Sequence, residues 1–278
     1  MHEAVIVRGK KRERWRMPAN WSGVEAWMWD AIAQALIMGK TPAGKVAMIQ
    51  ALLHNDDNIT IPAALLRQLD LVEVDEIANL AAWPWEEAME TPPFSSFTHE
   101  GLEYLLPKPR MSNCVVIEYA MADTMYALAE RAAKAGDEQQ QAEYIAKLIA
   151  YICRPADARI DPTDPLTYRN DLREKFNQPI CDTRVEAIKR LPEQTKLGVV
   201  MYFVGCKRAI HESCKNVLFA EQPADGGQLS SGRPMRPTEW LDICFNIAGG
   251  KFGTFEETLY TNLWTVIYYL KLQASQEA

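Results

Sequence analysis

Apolar residues recur three and four positions apart along most of the chain, a spacing that predicts amphipathic α-helices. Ser22 precedes one such run and Glu25 follows three positions later, which is the Ser-x-x-Glu pattern of a capping box. We therefore predict a helix that starts after Ser22 and ends at Gly39, since glycine commonly ends helices. Thr41 and Pro42 predict the start of a second helix, because proline fits the first turn.

The same periodicity predicts further helices downstream. Ser112 is expected to cap a long helix that ends before Gly136, and the short joint there predicts an antiparallel helical hairpin. Thr254 and Glu257 form a second capping box and should open a C-terminal helix. The remaining predicted helices occupy 60–69, 75–82, 138–153, 182–191, 197–219 and 238–248.

Strand signals are few. Two short runs, 4–7 and 13–17, flank a turn and predict a small hairpin, whereas 84–110 and 154–181 are proline-rich and are expected to be irregular. The predicted fold class is mainly α, a multi-helix globular bundle of about ten helices with an N-terminal β-hairpin. Two domain organisations stay open. The chain could form two subdomains, 1–110 with the basic hairpin and Trp-rich helices and 111–278 with the remaining helices, or it could form one continuous domain.

Composition narrows the class of protein. The chain has 278 residues, 48% of them hydrophobic, and a net charge of −7. It has no run of about 18 uncharged apolar residues, so we predict no membrane span. Six cysteines without a CxxC pair are typical of reduced thiols in a cytoplasm.

Local motifs for chemistry are sparse. Cys206, His211 and Cys214 are metal-type ligands, but Cys206 and Cys214 would lie about 12 Å apart along one helix axis. We interpret them as core residues, and the glycine motifs of nucleotide-binding proteins and the Gly-x-Ser-x-Gly of hydrolases are absent. The sequence therefore assigns no catalytic residue, no metal and no cofactor.

Acidic residues offer the remaining candidate chemistry. Those on the predicted central helices lack the Glu-x-x-His motif of di-iron bundles, so we expect solvated faces for Glu118, Asp123, Glu130 and Glu143. The 154–181 loop leaves an enzyme site open as a third hypothesis, because it gathers Asp157, Asp161, Asp164 and Arg169.

The N-terminal arm is basic. Residues 1–16 hold six basic residues and two glutamates, which gives them a net charge of +4. Since the whole chain has a net charge of −7, the remaining residues carry −11. An acidic body would repel nucleic acid, so we do not predict nucleic-acid binding. One interpretation is that the charge along the hairpin edge protects it against aggregation. Another is that Arg12, Arg14 and Trp15 contact an acidic protein partner or the acidic remainder of the chain itself.

Tryptophan is concentrated in the first third, where six of the eight lie before residue 86. Trp27 and Trp29 are two positions apart, so both cannot face one core stripe of a helix. At least one of them should meet the 83–97 loop or another chain, and Trp83 and Trp85 lie in that loop. Aromatic side chains are frequent anchors of protein interfaces, so these residues are candidate partner contacts.

The predicted C-terminal helix carries a second aromatic stripe. Tyr260, Trp264 and Tyr268 recur every four residues opposite the aliphatic face. A terminal helix that is apolar on two faces is either sandwiched in the core or docked on a partner, and both remain open.

The chain also resembles a known group of proteins. The segments that carry the resemblance are the hairpin leading to MPANW, then AYICRP, VVMYFVGCKRAI and GGKFGTFEETLYTNLWTVIYYLKLQ. In overall pattern they resemble helical proteins encoded among the tail genes of phages and prophages, some of which are similar to tail assembly chaperones. The resemblance implies a protein that binds the tape-measure protein before the tail tube polymerises, and it implies no catalytic residues.

These observations predict a non-enzymatic protein-binding factor, a tail assembly chaperone or morphogenesis protein in the host cytoplasm. The alternative is a structural component of the phage particle or tail, located in the virion. The expected partner is a tape-measure or other tail protein, a second copy of the chain stays open, and no membrane is involved. The candidate partner-binding residues are Arg12, Arg14, Trp15, Trp27, Trp29, Trp83, Trp85, Tyr260, Trp264 and Tyr268.

Overall fold

The fold is mainly helical, as predicted. A computed structural model describes residues 1–8, 11–69, 71–164, 170–218 and 237–277. In this part of the chain the α-helices are α1 Trp29–Met38, α2 Pro42–Leu52, α3 Ala63–Leu66, α4 Leu71–Leu80, α5 Val116–Ala135, α6 Glu138–Ile152, α7 Gln178–Asp182, α8 Val185–Lys189, α9 Glu193–Leu218, α10 Pro237–Ile247, α11 Phe255–Leu259 and α12 Leu263–Glu277. None of these helices is long and apolar enough to cross a membrane.

The chain divides into two compact units. The N-terminal unit comprises Met1–Phe94 with Pro192–Tyr202, and the C-terminal unit comprises Ser95–Leu191 with Phe203–Ala278. The sequence left a boundary at residue 110 and one continuous domain both open. In the structure, residues 95–110 belong to the C-terminal unit and residues 192–202 to the N-terminal unit.

The N-terminal hairpin is present where the sequence predicts it. Strands β1 His2–Arg8 and β2 Lys11–Met17 pair antiparallel. The hairpin is tied to the end of α2, because the backbone of Arg16 donates to the carbonyl of His54 at 2.7 Å and accepts from its amide at 2.9 Å.

The first predicted capping box is wrong. Asn20 caps a 3-10 turn by accepting from the amide of Ser22 at 3.1 Å, and a second 3-10 turn, Ala26–Met28, precedes α1. The helix therefore begins at Trp29. It ends at Gly39, as predicted, where a φ of 68° suits a residue without a Cβ atom.

Helices α1 and α2 meet in a tight joint. The hydroxyl of Thr41 accepts from the amide of Gly44 at 3.1 Å and caps α2, as the sequence predicts. A Cβ atom on Gly44 would lie 2.0 Å from the carbonyl oxygen of Gly39. Backbone and not a flexible side chain occupies that space, so position 44 admits only glycine without movement of the joint.

We expect Gly44→Ala to lower the free energy of unfolding by about 1–3 kcal/mol, the usual cost of overpacking. Urea unfolding measures this loss. Gly250→Ala is the matched control, because its Cβ would lie 3.7 Å from the nearest atom, and it should change stability by less than about 0.5 kcal/mol. Equal effects of the two substitutions would contradict the close approach.

The C-terminal unit contains a small sheet that the sequence did not reveal. Within the stretch expected to be irregular, β3 Ser96–His99 and β4 Leu102–Leu105 form an antiparallel hairpin, and β4 pairs with β5 Arg154–Pro155. Helix α5 ends at Gly136, which has a φ of 73°, and α5 packs against α6. The predicted end of the long helix at Gly136 is therefore confirmed.

Two other predicted caps are also wrong. Helix α3 begins after Pro62 and α5 after Val115, and neither has a side-chain cap, so Thr60 and Ser112 do not act as expected. The capping box of Thr254 and Glu257 is confirmed, with reciprocal bonds between each side chain and the other's backbone.

The helix predicted from that box is two helices. Helix α11 ends at Leu259, and α12 begins at Leu263 after the side chain of Asn262 accepts from the amide of Trp264 at 3.0 Å. The amide group of Asn262 also donates to the carbonyl of Ser112 at 2.8 Å. This long-range bond holds the break in place.

Candidate functional site

The basic arm offers one exposed candidate. Arg14 is exposed, whereas Trp15 is 4% exposed and belongs to the core of the N-terminal unit. Arg16 forms ion pairs with Asp56 at 3.1 Å and with Glu3 at 3.6 Å, so part of the arm's charge is compensated within that unit. The side chain of Arg12 lies outside the described residues.

Two candidate tryptophans are core residues of the N-terminal unit. Trp29 is 3% exposed, donates from its indole to the carbonyl of Gln194 at 3.0 Å, and has its ring 6.2 Å from that of Phe94. Trp83 is 7% exposed and donates to the carbonyl of Pro18 at 3.0 Å. Trp29 therefore meets the 83–97 loop, one of the two surfaces expected for the pair.

Trp27 is the other member of that pair, and it faces solvent. It is 40% exposed, its indole donates to the carboxylate of Glu25 at 2.9 Å, and its ring packs edge-on against His54 at 5.5 Å. Trp85 is half-buried. Within the N-terminal unit, Trp27 is thus the aromatic candidate with the clearest access to a partner.

The C-terminal aromatic stripe has mixed exposure. Trp264 is half-buried, donates from its indole to the carbonyl of Arg110 at 2.8 Å, and lies 4.9 Å beneath that guanidinium. Tyr268 is 64% exposed on the same helix. Tyr260 lies before α12, with Lys175 Nζ 4.2 Å from its ring centroid. The stripe is therefore neither wholly core nor wholly surface.

Further apolar side chains, which the sequence analysis did not select, are exposed on the last helices. Phe245 on α10 is 72% exposed and makes an edge contact at 6.1 Å with Phe255, which is 39% exposed. Leu272 on α12 is 42% exposed. Between α10 and α12 runs a groove of about 390 Å³ whose apolar lining includes Ile243, Ile247, Tyr269 and Leu270. None of the four exposed side chains lines the groove, although all four belong to helices α10 to α12. We use the name C-terminal apolar surface for the groove together with Phe245, Phe255, Tyr268 and Leu272.

In the part of the 154–181 loop that the structure describes, Asp157 and Asp161 bond their own sequence neighbours. Arg159 donates to both carboxylate oxygens of Asp157, at 2.8 and 2.7 Å, and this pairing lowers the pKa of Asp157 to about 2. Asp161 accepts from the amide and hydroxyl of Thr163 instead. Arg169 lies outside the described residues. Among the described residues, no three His, Cys, Asp or Glu side chains are grouped to hold a metal.

A buried charge network stands behind this loop. We call it the arginine network. Arg154, Arg173 and Glu118 are at most 3% exposed. The Glu118 carboxylate lies 2.6 Å from Arg173 Nη1 and 2.9 Å from Arg154 Nη1, and Asp171 lies 2.9 Å from Arg173 Nη2. Two acids and two guanidinium groups compensate one another, as buried charges require.

The arginine network also binds the backbone of the loop. Arg154 Nε donates to the carbonyl of Glu174 at 2.7 Å, and Arg173 Nη1 donates to that of Ile152 at 2.6 Å. Burial raises the pKa of the Glu118 carboxyl, but the two arginines outweigh it, so the pKa stays below its usual value. Glu118 is therefore ionised at neutral pH and holds both arginines in place.

The prediction of solvated faces is wrong for two of the four acids on the central helices. Glu118 and Asp123 are fully buried instead of solvated, and Asp123 pairs with Lys207 at 2.5 Å. In the helix predicted to start after Ser112, Glu118 would lie four positions after Cys114 and share its apolar face. Helix α5 begins only at Val116, and the Cys114 thiol donates to the Glu118 carboxylate at 3.3 Å. Glu130 is exposed, as predicted, and Glu143 is half-buried beside Lys189.

A cleft opens in front of the arginine network. It has a volume of about 780 Å³. One wall is the turn that follows β5, and the other is the segment that begins at Glu174; the two are joined because the amide of Glu174 donates to the carbonyl of Pro155 at 2.8 Å. The charged and polar lining consists of Asp157, Arg159, Glu174, Lys175, Asn177, Arg184 and Tyr260.

The cysteines do not offer a nucleophile. All six are buried free thiols. Burial raises the pKa of Cys214 and of Cys244 to about 11, so both are protonated at neutral pH. Burial also lowers the pKa of His211, with Lys207 contributing, so the imidazole is neutral. This state agrees with the interpretation of Cys206, His211 and Cys214 as residues of a core helix.

Neither protein family models, nor curated proteins, nor solved structures match the chain.

Proposed function

We propose that the protein is a protein-binding factor whose partner docks on the C-terminal apolar surface. The observation that carries this proposal is the exposure of Phe245, which at 72% is the highest of any large apolar side chain among the described residues. Exposed aromatic side chains cost hydration free energy in the free protein, and grouped ones mark interaction sites.

The shape of the surface favours a helical segment of the partner. The groove runs between two helices, α10 and α12, and its apolar residues Ile243 and Ile247 are four positions apart on one of them. An amphipathic helix presents side chains at matching three- and four-residue intervals, so its apolar face fits such a groove. Phe245 and Phe255, whose rings contact each other outside the groove lining, are candidate anchors for the rest of the partner.

Within this class, the resemblance to phage tail-gene proteins supports a tail assembly chaperone or morphogenesis factor. The partner would then be a tape-measure or other tail protein. A structural role in the particle is the alternative, and mass spectrometry of purified particles separates the two, because a chaperone is absent from the finished particle and a structural component is present in stoichiometric amounts.

Co-expression of the full chain with the proteins encoded by neighbouring tail genes tests the proposal. We expect one of them to co-purify with the wild-type chain. The double substitution Phe245→Ser and Tyr268→Ser should reduce its recovery by about tenfold, because each change removes an exposed aromatic anchor.

The matched control is Ile37→Ser with Val72→Ser, which removes side chains that are 60% and 67% exposed in the N-terminal unit. This variant should retain the partner. A wild-type chain that is monomeric by light scattering and captures none of the tail proteins would contradict the proposal, as would equal losses for the two double variants.

A further inference from the structure

We propose that the cleft in front of the arginine network binds a small organic anion, a carboxylate or phosphate group attached to an apolar body. This site is separate from the C-terminal apolar surface, and it does not depend on the function proposed for that surface. Its charged group would meet Lys175 and Arg184, and its apolar part would lie against Tyr260 and Ile180, all of which line the cleft.

The cleft carries a surplus of positive charge in an acidic protein. Three cationic side chains line it against the carboxylates of Asp157 and Glu174, whereas the whole chain has a net charge of −7. Asp157 forms an ion pair with Arg159, and the Glu174 carboxylate forms one with Arg184 Nη2 at 2.7 Å. Lys175 is left without a carboxylate partner among the described residues, and its ammonium lies over the ring of Tyr260.

Arg184 adds a guanidinium group that is only partly paired. Its Nη2 pairs with Glu174, while its Nη1 is buried and has no acceptor among the described residues. The side chain is 16% exposed, so its charge is only weakly screened by solvent. Because Nη1 is closed to solvent, Arg184 would attract an anion in the cleft through its charge and not through a new hydrogen bond from that atom.

The walls of the cleft are held in place before any ligand arrives. Arg154 of the arginine network bonds the carbonyl of Glu174, and its guanidinium lies 5.9 Å from the ring of Phe176. The opposite wall is fixed because the amide of Asp157 donates to the carbonyl of Leu172 at 2.8 Å. Little conformational entropy is therefore lost when a ligand binds, which raises affinity.

The rest of the lining determines the class of ligand. Ala156, Ala158, Phe176 and Ile180 present apolar atoms beside the cations, and Tyr260 supplies an aromatic face. An inorganic anion would leave these atoms hydrated, whereas an anion with an apolar or aromatic body covers them. The volume of about 780 Å³ admits a molecule of this kind.

Calorimetric titration of the full chain tests the site with three probes, phenyl phosphate, phenylacetate and benzyl alcohol. We expect at least one anion to bind saturably, with a Kd at least about tenfold below that of neutral benzyl alcohol. The stronger of the two anions identifies the group as phosphate or carboxylate. Lys175→Gln should weaken that anion by about tenfold, because it removes the unpaired cation.

Lys251→Gln is the matched control. Lys251 is also an exposed lysine above a tyrosine, with its ammonium 5.6 Å from the ring of Tyr269, but it lies outside the cleft. Its substitution should leave anion binding unchanged. The proposal is overturned if neither anion saturates below about 10 mM, if benzyl alcohol binds as tightly, or if the two lysine variants lose affinity equally.

Discussion

Replacing Glu118 by glutamine should lower the free energy of unfolding by about 3–5 kcal/mol, the cost of removing one partner from a buried ion pair. Arg154 and Arg173 would then share Asp171 as their only carboxylate in the arginine network, and both would remain at most 3% exposed. Chemical denaturation measures the loss. Glu130→Gln on the same helix is exposed and should cost less than about 0.5 kcal/mol.

The pH dependence of this loss provides a second measurement. The pKa of Glu118 is lower in the folded protein than its usual value of 4.5, so its contribution to stability is fully present above pH 4.5. It is lost as the pH falls through the lowered pKa of the folded state. The difference between wild type and Glu118→Gln should therefore shrink in acid, and a difference that is constant with pH would contradict the charge argument.

Replacing Trp29 by alanine should lower the free energy of unfolding by about 3–5 kcal/mol, as expected for a large aromatic residue removed from a core. The substitution removes ring contacts with Trp21 at 6.5 Å and with Phe94 at 6.2 Å. It also leaves the carbonyl of Gln194 without its indole donor. Thermal or urea unfolding of the full chain measures the effect.

Trp27→Ala is the control for Trp29→Ala, because it removes the same side chain two positions away. Trp27 is 40% exposed and its indole bonds only a nearby glutamate, so the loss should be about 1 kcal/mol or less. Losses of similar size at the two positions would show that Trp29 is not the core residue of the pair.

Local sequence predicted the elements whose signals are themselves local. The joint at Gly136 and the capping box of Thr254 depend on residues at most four positions apart, and both are present. The helical spacing of α5 and α6 is equally clear. Backbone conformation at these points is set by nearest neighbours, so no knowledge of the rest of the chain was needed.

The predictions that were wrong concern features set by distant residues. Strand β4 is four residues long, too short for a periodic signal, and besides β3 it pairs with β5, which lies about fifty positions further along the chain. Ser22 and Glu25 had the pattern of a capping box, but Asn20 supplies the cap instead, while Trp21 and Met28 are buried. The free energy gained by burying those two side chains outweighs the stabilisation of about 1 kcal/mol that a side-chain cap contributes.

The candidate sites show the same contrast between local signals and contacts with distant residues. The sequence selected Tyr260, Trp264 and Tyr268 by their spacing, but not which of them would be exposed, because the break at Asn262 is fixed by a bond to Ser112. It did not select Lys175 or Arg184, which meet Tyr260 only in the folded chain. Spacing along a helix gives a shared face, whereas exposure and charge pairing depend on what packs against that face.

The pattern of residues along the chain indicates a mainly helical protein with a basic N-terminal hairpin and with more aromatic residues than one helix stripe holds. The burial of Glu118 between two arginines from a distant loop, and the cationic cleft in front of them, depend on how the chain folds. The reason is physical. Periodicity reports the hydrophobic preference of each helix face, whereas a buried charge is stable only where the fold supplies its counter-charges.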